Sequence, residues 1–180
     1  MKIYVMRHGE TVWNAKGITQ GRSNNRLSKN GKIQAEMTAE KLKATKIDLI
    51  VCSPLMRTVQ TANIMNQYHG VKILKNENIN EVDQGIFTGR LFKSLSEEEK
   101  KIKSQRSKSC GMESVEEVTQ RAKKFIFELK QNYLGKKVLV VTHNLVACAI
   151  ESIAKFGDFD DSYFRNKVNF ANAELKEIEI

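Results

Sequence analysis

The sequence predicts an α/β fold, a three-layer α/β/α sandwich around a mainly parallel sheet. Three observations predict it. Short apolar runs within residues 3–6, 48–52 and 138–141 alternate with longer segments whose apolar residues recur at helical spacing. Each run is followed closely by polar or charged groups: Arg7-His8, Ser53-Pro54 and Thr142-His143. The length of 180 residues suits one sizeable core, so residues 1–180 are expected to form a single domain.

Taken in order, residues 3–6 read as a buried strand. Residues 11–27 lack periodicity and carry Gly17, Gly21 and several asparagines, which marks a loop. Ser28 is an N-cap for a helix over 29–44, with Ala35, Ala39 and Leu42 on one face and Ile33 and Met37 beside them. The run at 48–52 reads as a strand buried on both faces, and Ser53-Pro54 ends it. Leu55, Val59, Ala62 and Met65 then mark a helix that ends near Gly70. Arg57 falls in its first turn, where the side chain and free backbone N–H groups would face an anion together.

Residues 71–74 are a third strand and 76–92 a loop with Gly85 and Gly89. The segment 93–111 is dense in Lys, Arg, Glu and Ser. It reads either as a short exposed helix with a mobile loop or as a lid whose lysines draw phosphorylated substrates. Residues 76–113 together are expected to form a small lid-like insertion. Ser114 and Glu117 form a capping box, opening a helix with Val115, Val118, Ala122, Phe125, Leu129 and Tyr133 inward. Gly135 closes it. Residues 138–141 are the most apolar strand and deliver His143. A buried helix over 145–155, a loop over 156–161 and an edge strand over 173–180 complete the chain.

Hydrophobic content of 41% and charge of 28% are near the globular average, so disorder is not expected. No run reaches the roughly 18 apolar residues that a membrane span needs. The four apolar residues before Arg7 are too few for a signal-peptide core. A cytoplasmic protein without a membrane partner is expected. The three cysteines carry no disulfide or zinc spacing, and Cys52 and Cys148 read as packed thiols. The net charge of +9 fits either a polyanion binder or a pocket for anionic substrates. The lysines are spread along the chain and no nucleic-acid motif is present, so no nucleic-acid partner is expected. A basic surface that attracts phosphate esters remains. The oligomeric state, monomer or dimer, stays open.

The chemistry gathers at Met6-Arg7-His8-Gly9-Glu10. Arg7 can fork onto two phosphate oxygens. Gly9 lets the backbone turn tightly or approach a ligand closely. His8 can be a neutral nucleophile at pH 7. The bland alternative is a basic strand-end turn with a solvated histidine. Likewise His143 can be a structural histidine and Arg57 a surface arginine, while His69 reads as a surface residue. Asp158, Asp160 and Asp161 read as an exposed acidic loop rather than a metal site.

Arg7-His8-Gly9-Glu10-Thr11 with Trp13-Asn14 resembles the signature of the histidine phosphatase superfamily, the phosphoglycerate-mutase-like proteins. Further matches follow in that family's order. They are Gln20-Gly21, Leu27-Ser28 with Gly31 and Gln34-Ala35, Ser53-Pro54-Leu55 with Arg57-Thr58 and Gln60-Thr61-Ala62, Glu81 with Gly85 and Gly89, and Val141-Thr142-His143. The resemblance covers most of residues 1–150.

It implies a phosphohistidine on His8. Arg7, Arg57 and a protonated His143 would neutralise the phosphoryl oxygens. A backbone carbonyl near Gly9 would hold the other His8 nitrogen. Glu81 would act as general acid and then base, with Asp83 and Glu77 nearby as competitors. Phosphate contacts are expected from Arg7, His8, Asn14, Gln20, Gly21, Arg57, His143 and Asn144, without metal or cofactor.

Two departures stand out. Asn144-Leu145 follows the second histidine where the family usually has a glycine or another small residue. Glu81-Val82-Asp83-Gln84-Gly85 replaces the acid-Arg-His-Tyr-Gly of mutases, which looks like the phosphatase branch. The expected activity is hydrolysis of small phosphorylated metabolites. The alternatives are a phosphoglycerate mutase and a non-catalytic phospho-ligand binder. Phe87, Phe92, Met112 and Tyr163 are candidates for the leaving-group side.

Overall fold

The computed structural model describes residues 1–106, 108–158 and 169–180. Its elements are β1 (Lys2–Arg7), α1 (Val12–Lys16), α2 (Lys29–Leu42), β2 (Leu49–Cys52), α3 (Met56–Asn66), β3 (Ile73–Lys75), α4 (Glu97–Ser104), α5 (Val115–Tyr133), β4 (Val138–Thr142), α6 (Asn144–Phe156) and β5 (Leu175–Glu179). The five strands lie in the order β3-β2-β4-β1-β5. The first four are parallel, and β5 runs antiparallel along the β1 edge. This is the expected α/β architecture with a mainly parallel sheet.

The strand periodicity of two sets the layers. Ile3 and Val5 of β1, Val51 of β2 and Val138 and Val140 of β4 point to one side. There they pack under Val118, Ala122, Phe125 and Leu129 of α5 and Val146 and Ile150 of α6. Met6, Ile50, Cys52, Leu139 and Val141 point to the other side, against Ala39 and Leu42 of α2 and Ala62 and Met65 of α3. β2 and β4 are buried along their whole length, which is why they read as continuous apolar runs. β4 sits at the centre between β1 and β2, so His143 leaves from the best-supported strand.

Several boundaries differ from expectation. α2 stops at Leu42, and its Ile33 and Met37 are exposed because they fall off the Ala35–Ala39–Leu42 stripe. α3 ends at Asn66 rather than Gly70. The 11–27 loop contains α1, too short to show periodicity. Its start is marked by Thr11, whose side chain accepts from the Asn14 N–H while the Asn14 side chain reaches back to the Thr11 N–H.

The described residues of the 76–112 segment form three short 3₁₀ turns, α4 and a fourth turn. Ser96 and Glu99 cap α4 reciprocally, as Ser114 and Glu117 cap α5. Phe87, Leu95 and Met112 bury themselves in a small satellite core of this segment. Phe87 and Met112 therefore pack inward rather than forming an open substrate wall, while Phe92 is exposed. Tyr163, Asp160 and Asp161 lie outside the described residues; Asp158 pairs with Lys123.

Candidate active site

The His8 turn is fixed before any ligand is considered. His8 N–H donates to the carbonyl of Thr142 at 3.0 Å, joining the ends of β1 and β4. Gly9 N–H donates to Thr61 Oγ1 at 3.1 Å and Glu10 N–H to Gln34 Oε1 at 3.0 Å. Ser28, the N-cap of α2, donates its hydroxyl to the Glu10 carboxylate at 2.6 Å. Gly9 and Gly31 lie backbone to backbone: a Cβ on Gly9 would collide with the Gly31 carbonyl, and one on Gly31 with the Glu10 carbonyl. The scattered residues of the sequence pattern thus assemble one clamp around His8.

His8 is almost fully buried. Its Nδ1–H donates to the Gly9 carbonyl at 2.7 Å, which leaves Nε2 with its lone pair. Burial first, then the Arg57 and Arg7 charges, holds its pKa well below the ordinary histidine value of 6.5. A neutral imidazole is the nucleophilic form.

Two guanidinium groups flank it. Arg7 Nη1 donates to the Phe170 carbonyl at 2.7 Å. Arg7 Nε is buried and has no hydrogen-bond partner among the described residues. A buried donor on a cation, left unpaired, is costly, and an anionic ligand in the site would satisfy it. Arg57 is wholly buried on the first turn of α3. Its Nη1 and Nη2 donate to the carbonyls of Ser23 and Gly21 at 2.8 and 2.9 Å, and its Nε to His143 Nδ1 at 3.3 Å. Burial lowers its pKa to about 10, so it stays charged at neutral pH.

His143 closes the group, its ring edge-on to His8 with centroids 5.2 Å apart. Its Nε2 lies 2.8 Å from Ser53 Oγ. Burial first, then Arg57, pushes its pKa well below the ordinary value. The ring is thus neutral in the ligand-free site, whereas the protonated His143 expected above concerns a ring facing a bound phosphoryl group. Glu81 Oε2 lies 3.5 Å from His143 Nδ1 and 3.8 Å from Arg57 Nη2. The competing carboxylates turn elsewhere: Asp83 accepts from the Gly85 N–H and Glu77 from the Asn80 amide.

The remaining expected phosphate ligands take varied positions. Asn14 Oδ1 is committed to Thr11, leaving its amide nitrogen as the group that can donate. Gln20 Oε1 accepts from Thr11 Oγ1 at 2.8 Å, with the same consequence. Gly21, at φ +49°, offers its carbonyl to Arg57, so its contact with the site runs through that guanidinium. Asn144 turns its Oδ1 to the Phe170 N–H at 2.9 Å. Since the Phe170 carbonyl holds Arg7, Asn144 braces an arginine.

His8, His143 and Glu81 offer nitrogen and oxygen atoms all within 4.8 Å of one another. No sequence spacing foretold this triangle. Its neighbours, Arg7 and Arg57, oppose a dication and suit a dianion, so the local charge favours an anion there. It can bind a phosphoryl group and present it to a neutral nitrogen nucleophile beside a carboxylate.

A family model described as "Histidine phosphatase superfamily (branch 1)" matches residues 3–180. The chain belongs to the histidine phosphatase superfamily. Among its relatives, Phosphoserine phosphatase 1 of Hydrogenobacter thermophilus is 31% identical over 176 residues, covering 88% of this chain and 81% of that protein. Probable phosphoglycerate mutase GpmB of Cronobacter sakazakii is 29% identical over 186 residues, covering 99% and 85%. The structure of mycobacterial glucosyl-3-phosphoglycerate phosphatase complexed with VO3 matches with a TM-score of 0.86 at 22% identity, over 98% of this chain and 91% of that one. That likeness is one of fold.

Sequence reading of this superfamily member missed several groups that hold the site. Ser53, Thr61 and Gln34 were visible only as members of a pattern. The carbonyls of Ser23 and Phe170 carry no residue-type signal at all. Arg22 was missed too: its Nε donates to the Glu81 carbonyl at 3.0 Å while its Nη2 pairs with Glu113 at 3.3 Å. An arginine directly after Gly21 was its only signal.

Proposed function

We propose that this chain is a metal-independent phosphomonoesterase acting on small phosphorylated metabolites through a phosphohistidine on His8. The observation that carries the reading is the His8 Nδ1–H bond to the Gly9 carbonyl, which reserves Nε2 for attack beside two arginines. Nε2 forms the N–P bond as the ester P–O bond breaks, and Glu81 gives its proton to the departing oxygen. The Glu81 carboxylate then takes a proton from water. The water oxygen attacks phosphorus, the N–P bond breaks and inorganic phosphate leaves. Arg7 and Arg57 offset the phosphoryl charge throughout.

The basic segment joins this reading as a cover for the site. Lys103 of α4 donates to Gln84 Oε1 at 2.7 Å, and the Gln84 side chain lies against Gly21, whose carbonyl holds Arg57. A second reading, phosphoglycerate mutase, is favoured by relatives bearing that name. The Glu81 to Gly85 segment argues for hydrolysis instead. Phosphate release from a panel of phosphorylated metabolites, in EDTA, tests the proposal alongside mutase flux on 3-phosphoglycerate with 2,3-bisphosphoglycerate. Hydrolysis should dominate and survive the chelator. Mutase flux above phosphate release, or activity lost to EDTA and restored by a divalent ion, would overturn it.

A further inference from the structure

The protonation of His143 is set by a hydroxyl outside the phosphoryl site. Arg57 Nε always carries a hydrogen, and it donates to His143 Nδ1 at 3.3 Å. Nδ1 therefore holds a lone pair, and the ring proton sits on Nε2, donating to Ser53 Oγ at 2.8 Å. The Nδ1 side is the one facing Glu81, at 3.5 Å. A phosphoryl oxygen arriving there meets a lone pair. His143 can donate to it only with a second proton, or if its one proton moves from Nε2 to Nδ1.

Ser53 decides between these. It is wholly buried and has a single hydrogen. That hydrogen faces Asn80 Oδ1 at 3.3 Å. The same oxygen accepts the Glu81 N–H at 2.8 Å, while the Asn80 amide nitrogen donates to Glu77. Asn80 Oδ1 is thus an acceptor, and Ser53 donates to it. With its hydrogen committed there, Ser53 can only accept from His143, so Nε2 keeps its proton.

We propose that Ser53, held by Asn80, is a positioning residue that locks His143 in the Nε2–H form, so that a phosphoryl dianion binds together with one proton taken up at Nδ1. His143 then meets the ligand as an imidazolium. Arg57 Nε–H and His143 Nδ1–H both donate to the anion instead of one donating to the other. The charged and titratable groups around the ring are Arg7 and His8 from the β1 end, Arg57 from α3, Glu81 from its loop and Arg121 from α5. In the free site burial first, and then the neighbouring cations, hold the ring neutral; a bound dianion offsets the cations and accepts from the protonated ring. The proton comes from solvent or from a monoanionic ligand.

This rests on the phosphatase reading for its meaning, but its test does not need turnover. The probe is tungstate, a dianion that does not itself titrate near neutrality. Calorimetry at pH 7.5 in buffers of differing ionisation enthalpy should show uptake of about one proton, and affinity should fall about tenfold per pH unit above neutrality. Ser53→Thr should keep both behaviours. Ser53→Ala should flatten the pH dependence, and the ¹⁵N shifts of His143 should then report mixed tautomers. Glu81→Gln should leave the uptake intact.

Tungstate binding by the unaltered protein without proton uptake would overturn the proposal. So would uptake that vanishes in Glu81→Gln, or Ser53→Ala matching the unaltered protein in uptake and tautomer. Proton uptake in a protein that hydrolyses no phosphate ester would instead leave this inference standing and sink the phosphatase reading.

Discussion

His8 hangs from the end of a buried strand, whereas Glu81 hangs from a loop. The His8 turn is tied by backbone bonds to β4, by side chains of α2 and α3 and by the close approach of Gly9 to Gly31. The Glu81 loop is pinned by side chains. Arg121 holds the Asn78 carbonyl, Thr142 the Ile79 carbonyl and Arg22 the Glu81 carbonyl. Arg121 and Arg22 both lean on Glu113, at 2.7 and 3.3 Å. Buried Ile79 and Val82 add apolar anchors. The difference teaches that His8, the proposed nucleophile, is placed by the fold itself, while Glu81, the proposed acid, is placed by a charge network laid over it. On the proposed mechanism the phosphoryl end, common to every ester, is fixed, and the leaving-group end, which differs between esters, is built from adjustable parts.

The largest expected effect breaks the leaving-group side alone. Glu81→Gln should cost about 10² to 10⁴-fold in kcat/KM on alkyl phosphates, the usual worth of a general acid. On p-nitrophenyl phosphate, whose leaving group hardly needs a proton, the loss should be far smaller. Arg57→Ala should cost roughly 10² to 10³-fold on both, because it acts on the phosphoryl group that they share. Equal losses on both substrates in Glu81→Gln would reject the acid role. Leaving-group-dependent losses in Asp83→Asn would move that role to Asp83.

A smaller effect sharpens the same contrast. Arg22→Ala removes one pin from the Glu81 loop and leaves the His8 turn untouched. It should reproduce the leaving-group dependence of Glu81→Gln at about a tenth of its size, since only placement is loosened. A loss independent of the leaving group would show that Arg22 serves the phosphoryl side.

The smallest effect concerns stability. His8 and His143 are buried neutral with pKa values held well below 6.5. In the unfolded chain both protonate near that value. Below about pH 6.5 the unfolded state therefore binds more protons, and stability must fall as pH falls. The melting temperature should be flat between pH 7 and 8 and decline from pH 6.5 downward. His143→Gln should weaken that decline.

Much of the fold was legible because burial writes itself as periodicity. The continuous run of β4 and the stripe of α5 needed no more than that. α1 was missed because five residues are too few to show a period, and its cap uses Asn14 rather than the usual Glu or Gln. In the site, Arg7, His8 and His143 were legible because strand ends must converge in a parallel sheet. Arg22 and the carbonyls of Ser23 and Phe170 were not, since a backbone oxygen has no letter in the sequence. The partners that set the His143 proton were not legible for the same reason: Arg57 and Ser53 reach it only in three dimensions.

Phosphoryl transfer to His8 is tested most directly by trapping. The protein is mixed briefly with a ³²P-labelled ester and denatured without acid, and the label is mapped. A base-stable, acid-labile phosphoryl group on His8, absent from His8→Ala together with turnover, is the expected result. Label on serine or cysteine, or undiminished turnover in His8→Ala, would contradict it.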